Sequence, residues 1–256
     1  MQKNLNRKFR KKYTRHHSKM FTITCIGTGS TGNAYAVEDS AGHTLLLDCG
    51  ISYKNVLKKF RNPIDAVLVT HKHGDHAGHI DEFTKRGIMV IGPRQVAEEH
   101  PGFMEALIET RTSTDEMKRY EKFSIAGFIV SPFTVRHDKD VETVGYHIRS
   151  EDKKSTMLYI TDCAYVPYKF SDPVDEIIME VNYDHESIAK SDDSIEMKKR
   201  ITKTHTSLEQ AVKFLKETNI KKLTRIHICH TSARNANKAL IKKTLAQETG
   251  KQIIIF

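Results

Sequence analysis

The stretch AVLVTHKHGDHAGHI, Ala66–Ile80, decides how this chain is read. An apolar strand-like run leads straight into four histidines and an aspartate. Crowded imidazoles repel one another once protonated, so something must hold them together. The spacing is His71-x-His73-x-Asp75-His76. In extended chain, residues two apart point to the same side, so His71 and His73 can reach one ion. Gly74 permits a sharp turn. Asp75 and His76 then fall at the start of the next helix, aimed at a neighbouring point. One short segment thus offers two ligand pairs for two adjacent cations. Its mix of imidazole and carboxylate suits Zn²⁺, Mn²⁺ or iron. His79, one helical turn past His76, is expected outside the ligand set.

The rest of the chain sets the frame. Its 256 residues are 38% hydrophobic and 29% charged, enough for a substantial core. No apolar run approaches the roughly 20 residues of a bilayer span, and no signal-peptide apolar core follows the basic N-terminus. A soluble, cytoplasmic protein with no membrane partner is expected. Cys25, Cys49, Cys163 and Cys229 stand far apart without C-x-x-C spacing, as buried reduced thiols do. Cys163 and Cys229 each adjoin a candidate ligand. The formal net charge is +9, but residues 1–19 hold eight basic and no acidic side chains, leaving +1 for the remainder. A tail of this kind suits phosphate backbones, because each cation that contacts one releases counterions. The organisation expected is a disordered basic tail over 1–19 and a single domain over 20–256.

Along that domain, FTITCIG (21–27), AYAVED (34–39), HTLLLDCG (43–50) and IDAVLVT (64–70) read as strands. YKNVLKKF, GHIDEFTKRG closed by Gly87, and PRQVAEEH read as helices, with strand IMVIGP between the last two. Residues 101–122 are polar and read as a short helix and loop. FSIAGFIV, FTVRH, VGYHIRS, TMLYITD and EIIMEVNY continue as strands. The last third turns helical, with SIEMKKRITK, SLEQAVKFLKET and NKALIKKTLAQETG around strand KLTRIHICH, and ends on strand QIIIF. Strands in runs with helices inserted fit an α/β fold of two mixed sheets face to face, helices outside.

With the histidine motif after a hydrophobic strand, residues 21–256 resemble the metallo-β-lactamase-fold hydrolases. The resemblance implies a four-layer αββα sandwich. It also implies a full ligand set: His71, His73 and His137 on one metal, Asp75, His76 and His230 on the other, and Asp162 bridging. His137, Asp162 and His230 each end a strand-like segment, which agrees with a site along one sheet edge. An aspartate at 162, where the commonest true lactamases carry cysteine, argues against antibiotic hydrolysis. IIMEVNYDHE (177–186) and the block from Thr204 to Arg234 resemble the tRNA- and DNA-processing nucleases. That likeness implies His205 as a general acid oriented by Glu180, although Thr204 stands where glycine is usual. The 68 positions from Asp162 to His230 leave no room for a β-CASP insert. The 25 from His137 to Asp162 leave none for a long tRNA-gripping arm. The compact YycJ/WalJ-type exonuclease branch fits best, and its G-S-S/T-G-N turn is mirrored by GSTGN (29–33).

The function so implied is a metal-dependent phosphodiesterase or nuclease, exonuclease-like on DNA, using two divalent ions, Zn²⁺ or Mn²⁺. A hydroxide activated by both metals attacks, and His205 protonates the leaving oxygen. Asp75, His205 and Glu180 are the residues on which turnover is expected to depend. Backbone amides and side chains of Ser30, Thr31 and Asn33, and of Ser232, Arg234 and Asn235, are candidates for holding phosphate. The same residue types also serve ordinary turns and helix caps. A thioesterase or lactone hydrolase on the same dinuclear site is the first alternative. A nucleic-acid-binding module with a structural metal site is the second. No sequence signal fixes an oligomeric state.

Overall fold

The computed structural model describes residues 20–102, 104–110, 119–152 and 154–256. The basic segment 1–19 lies outside the described residues. The first half of the chain builds β1 (Thr22–Gly27), β2 (Ala34–Glu38), β3 (Thr44–Leu47), β4 (Ala66–Leu68), β5 (Met89–Gly92) and β6 (Glu105–Ala106). These pair in sequence order as one six-stranded sheet, antiparallel from β1 to β3 and parallel from β3 to β6. Its helices are α1 (Tyr53–Lys59), α2 (Gly74–Ala77), α3 (Ile80–Thr84) and α4 (Arg94–Glu99).

The second half supplies β7 (Glu109–Thr110), β8 (Arg119–Tyr120), β9 (Phe123–Ile125), β10 (Phe128–Thr134), β11 (Val144–Ser150), β12 (Thr156–Ile160), β13 (Glu176–Glu180), β14 (Arg225–Cys229) and β15 (Gln252–Ile255). Their order is β15-β14-β13-β12-β11-β10-β8-β7, with β9 hairpinned onto β10. β12 to β15 run parallel. Parallel neighbours need long crossovers. Helices α5 (His185–Lys190), α6 (Ile195–Thr204) and α7 (Leu208–Glu217) link β13 to β14, and α8 (Lys238–Thr249) links β14 to β15.

Side-chain alternation assigns the layers. Tyr35, Val37, Leu45, Leu47, Ala66 and Leu68 of the first sheet meet Val130, Tyr146, Ile148, Met157, Tyr159 and Ile178 of the second in one inter-sheet core. The alternate residues face helices. Ala36, Leu46, Val67 and Val90 pack on Val56, Ile80, Phe83 and Val96. Leu158, Ile177 and Ile228 pack on Ala211, Leu215, Ile241 and Leu245. The result is the expected αββα sandwich. None of the described helices is long and apolar enough to cross a membrane.

Three expectations are corrected. FSIAGFIV is not one strand: Ala126 and Gly127 adopt positive φ (49° and 82°) and turn the chain between β9 and β10. Paired positive φ values match the twist of a tight hairpin. Among the described residues of the polar stretch 101–122, which leave out 103 and 111–118, the short strands β6, β7 and β8 stand and no helix does. The helix expected over 78–87 is one short helix, α3 over Ile80–Thr84, and α2 over Gly74–Ala77 precedes that span.

Candidate metal centre

The candidate ligands stand at strand ends, where side chains leave the sheet edge and converge. β4 runs out at Leu68, and His71 and His73 follow it. His137 follows β10, Asp162 follows β12, and His230 follows β14. His71 Nε2 lies 3.0 Å from His73 Nδ1, and His137 Nε2 lies 3.3 Å from the same atom. These spacings fit the edge of a tetrahedron with Zn–N bonds of ~2.0–2.1 Å, about 3.3 Å. His137 Nδ1 donates to the carbonyl of Thr204 at 2.8 Å, which reserves Nε2 for the cluster.

The second cluster gathers Asp75, His76, Asp162 and His230, with ligand atoms all within 4.8 Å of one another. His76 Nε2 is 3.5 Å from Asp75 Oδ2 and 3.4 Å from Asp162 Oδ1. His230 Nε2 is 3.5 Å from Asp75 Oδ2. Asp162 faces both clusters, because its Oδ2 lies 4.0 Å from His71 Nε2.

The donor chemistry fits two divalent cations. Nε2 of His230 is buried with no hydrogen-bond partner, a costly arrangement unless it ligates. Burial holds His71, His73 and His137 below the ordinary imidazole range, and so in the neutral, ligating form. In the second cluster burial also disfavours charge, but the carboxylates outweigh it. His230 is pushed up to about 10, Asp162 being the chief opposing influence, and His76 is raised for the same reason. This surplus of negative charge draws in positive charge.

The supporting residues include one that the motif reading overlooked. Asp48, fully buried after β3, accepts from His76 Nδ1 at 2.7 Å, Tyr159 Oη at 2.6 Å and Thr70 N at 2.7 Å. It engages Nδ1 and so orients the His76 ring with Nε2 toward the second cluster. A signal was present in LLLDCG, where an aspartate ends an apolar strand. Asp48, Asp162 and His230 have φ of 59°, 44° and 50°, left-handed values that are costly without glycine. Among the described residues the fourth such case is Ala126, in the hairpin turn. Backbone strain therefore gathers where side chains must be aimed.

Glu180 and His205 lie together beside the clusters. Glu180 Oε1 accepts from His205 Nδ1 at 2.6 Å and from His230 Nδ1 at 3.1 Å. Its Oε2 accepts from the backbone amides of Cys163 and Thr206 at 3.2 and 3.0 Å. Burial alone would raise this carboxyl, but His205 and these donors hold it below its ordinary value. Burial likewise lowers His205, and Glu180 more than reverses that. The His205 ring lies flat against that of His230, centroids 5.4 Å apart. Because Nδ1 is committed to Glu180, a proton delivered from His205 leaves through Nε2. Ser207 caps α7 with a full capping box to Gln210, which anchors the chain just after His205.

The proposed phosphate contacts divide. Ser30 and Thr31 are exposed in the β1–β2 turn. Asn33 is fully buried. Its Oδ1 accepts from Gly29 N and Tyr35 Oη, and its Nδ2 sits 3.2 Å from the Asp75 carbonyl and 3.0 Å from His76 Nε2. In this structure the Asn33 side chain braces the loop that carries Asp75 and His76. Asn235 is also buried, with Nδ2 donating to Asp193 at 2.8 Å. Arg234 pairs with the same Asp193 at 3.1 Å, and Ser232 Oγ accepts from Asn235 N at 3.1 Å. These three serve the turn after His230 in this structure. His79 pairs with Glu82 at 3.0 Å, outside both clusters. Cys163 and Cys229 are buried free thiols raised by that burial, and neither belongs to a ligand group.

Comparison with known proteins places this geometry. Exodeoxyribonuclease WalJ of Streptococcus pneumoniae (serotype 2, strain D39) is 26% identical over 242 residues, spanning 89% of this chain and 88% of that protein. The metallo-beta-lactamase fold protein YhfI from Bacillus subtilis superposes with a TM-score of 0.64 at 16% identity, over 91% of this chain and 95% of that one. Human tRNase Z, short form, superposes at 0.61 with 17% identity, over the same shares, 91% and 95%. The profile of the beta-lactamase superfamily domain matches residues 43–228, well over half of the chain. With its ligand-bearing strand ends inside that span or just beyond it, the chain belongs to the beta-lactamase superfamily, as a metal-dependent hydrolase of metallo-β-lactamase fold.

Proposed function

We propose that this hydrolase is a cytoplasmic phosphodiesterase of the nuclease type, acting exonucleolytically on DNA with two Zn²⁺ or Mn²⁺ ions. The observation that carries the reading is the Glu180–His205 pair, 2.6 Å apart and stacked against a candidate ligand. An alkoxide leaving group needs a proton, and a buried carboxylate that keeps an imidazole charged supplies a general acid. Thiolate leaving groups need no such partner, which weighs against a thioesterase. The similarity to an exodeoxyribonuclease over nearly the whole chain supports the same reading.

His71, His73 and His137 would hold one ion and Asp75, His76 and His230 the other, with Asp162 placed between the two groups. When bound, such a pair supplies a nucleophile active at neutral pH and offsets charge on the phosphoryl oxygens. Glu180 keeps the His205 proton in place until the leaving oxygen takes it from Nε2.

The test measures bound metals, then turnover of single- and double-stranded DNA and RNA beside a thioester and a lactone. Asp75→Ala is the control. Metal-dependent release of nucleotides from DNA ends, lost in that variant, is expected. A dimetal protein that turns over the thioester or lactone and no phosphodiester would sink the proposal.

A further inference from the structure

A groove of about 1160 Å³ adjoins the candidate metal centre, since the candidate ligand His137 lines it together with Thr204. Lys199, Arg200 and Lys203 of α6 line it. None of the three makes an ion pair among the described residues. They span about 6 Å of helix axis, more than one phosphate occupies. Tyr165, three residues after Asp162, also lines the groove and is 49% exposed, unusual for an aromatic. Its position is fixed by pairing of its backbone with Arg136.

Four acids border the same groove. Glu142 is engaged, accepting from Tyr120 Oη at 2.7 Å and Gln95 N at 3.1 Å. Asp138 and Asp140 belong to the loop after His137, and α6 contributes only Glu196. Arg136 and Lys139 line the loop side as well and nearly balance its acids, whereas α6 carries a net positive charge, so a polyanion entering the groove is drawn chiefly to the α6 side.

We infer that the groove seats a single-stranded polynucleotide leading away from the cleavage site, with phosphates along Lys199, Arg200 and Lys203 and one base on Tyr165. The inference rests on the phosphodiesterase reading above and adds the form of the substrate. A row of unpaired cations beside an exposed ring is how single strands are held without sequence readout. In a duplex the base faces are covered by their neighbours, so an isolated aromatic at the groove wall gains only from an unstacked base.

The experiment uses the metal-loaded full chain, a labelled single-stranded DNA, the same sequence as a blunt duplex, and bis(p-nitrophenyl) phosphate as a small diester. The double variant Lys199→Glu/Lys203→Glu is expected to lower the strand-to-small-diester ratio of kcat/KM at least tenfold. It should also flatten the salt slope of strand binding by about 1.4, at ~0.7 per lost contact. Tyr165→Ala is expected to raise KM for the single strand about tenfold, with Tyr165→Phe restoring it. An unchanged ratio and slope, or tighter use of the blunt duplex than of the strand, overturns the inference. Strand binding is followed by fluorescence anisotropy in parallel. A wild type that cleaves no diester then fails the phosphodiesterase reading, while the groove is still judged on whether the double variant releases the strand.

Discussion

Asp48 Oδ2 lies 2.7 Å from Nδ1 of His76, both residues fully buried. This carboxylate also accepts from Tyr159 and Thr70, so one side chain orients a ligand and ties the two sheets together. Asp48→Ala is expected to weaken metal binding about 10–100-fold, the usual effect of losing such a partner. It also strands three buried donors, each costing about 1–3 kcal/mol. Competition with a chelator reads the first effect and denaturant unfolding the second. Unchanged metal affinity would remove the orienting role.

Glu180→Gln is expected to narrow the pH range of turnover from its basic side. The carboxylate holds His205 above the ordinary imidazole value, so the proton survives to higher pH. With a neutral amide in its place, burial dominates and His205 deprotonates earlier. The basic limb of the kcat profile should move down while bound metal stays the same. Stability follows the same signs. The raised His205 contributes most below its unfolded value, and its contribution is lost as pH rises through the folded one. The lowered Glu180 contributes above its unfolded value and is lost on acidification. A basic limb that stays in place separates His205 from proton transfer.

Asn33→Ala is expected to cost about 1–3 kcal/mol through unpaired buried groups in the turn. Its effect on KM should be no larger than its effect on bound metal, since Asn33 does not face substrate. Titration of substrate at saturating metal checks this. A rise in KM with stability intact would return Asn33 to the phosphate-binding set.

Gly50→Ala should disrupt the ligand loop without removing a ligand. A Cβ at Gly50 would lie 1.8 Å from the carbonyl oxygen of Asp75 and 2.9 Å from the amide of Asn33. These are backbone atoms, so the loop carrying Asp75 and His76 must shift. Loss of bound metal with the inter-sheet core retained is expected, read by metal analysis beside near-UV circular dichroism.

Acid should release the ion held by His71, His73 and His137 only at a pH below the ordinary imidazole range. Burial resists protonation of His71, His73 and His137, which keeps their lone pairs available as pH falls. Chelation at neutral pH should lower the melting temperature, because Asp75 and Asp162 then face each other across two histidines without a divalent countercharge. Restoring Zn²⁺ or Mn²⁺ should recover both melting temperature and turnover. A melting temperature indifferent to chelation would sink the metal assignment.

Much of this was legible in the sequence because it is local. The His71–His76 spacing puts four candidate ligands on one short segment, and the period-two apolar runs locate the sheets. His137, Asp162 and His230 were readable only as strand-ending residues within a family pattern, since nothing local shows that they meet. Asp48 escaped notice because its role exists only after β3 and β4 pair and bring it to His76. Asn33 and Asn235 were ambiguous because side chains that grip a phosphate are the same ones that close a turn. Burial, invisible in the sequence, decides between these uses. The break at Ala126 was missed because alanine gives no warning of a left-handed φ.

The ligands come from both layers of the sandwich. His71, His73, Asp75 and His76 leave the six-stranded sheet, whereas His137, Asp162 and His230 leave the other. The candidate centre is therefore a seam, and ions held there would act as rivets between two sheets that meet chiefly through apolar contact, with hydrogen bonds such as Tyr159 to Asp48 crossing as well. Any slip of one sheet over the other changes the distance between the clusters. Residues that set sheet spacing far from the chemistry, such as Tyr35 against Tyr159 with ring centroids 5.7 Å apart, thus share control of the gap across which a substrate would be cut.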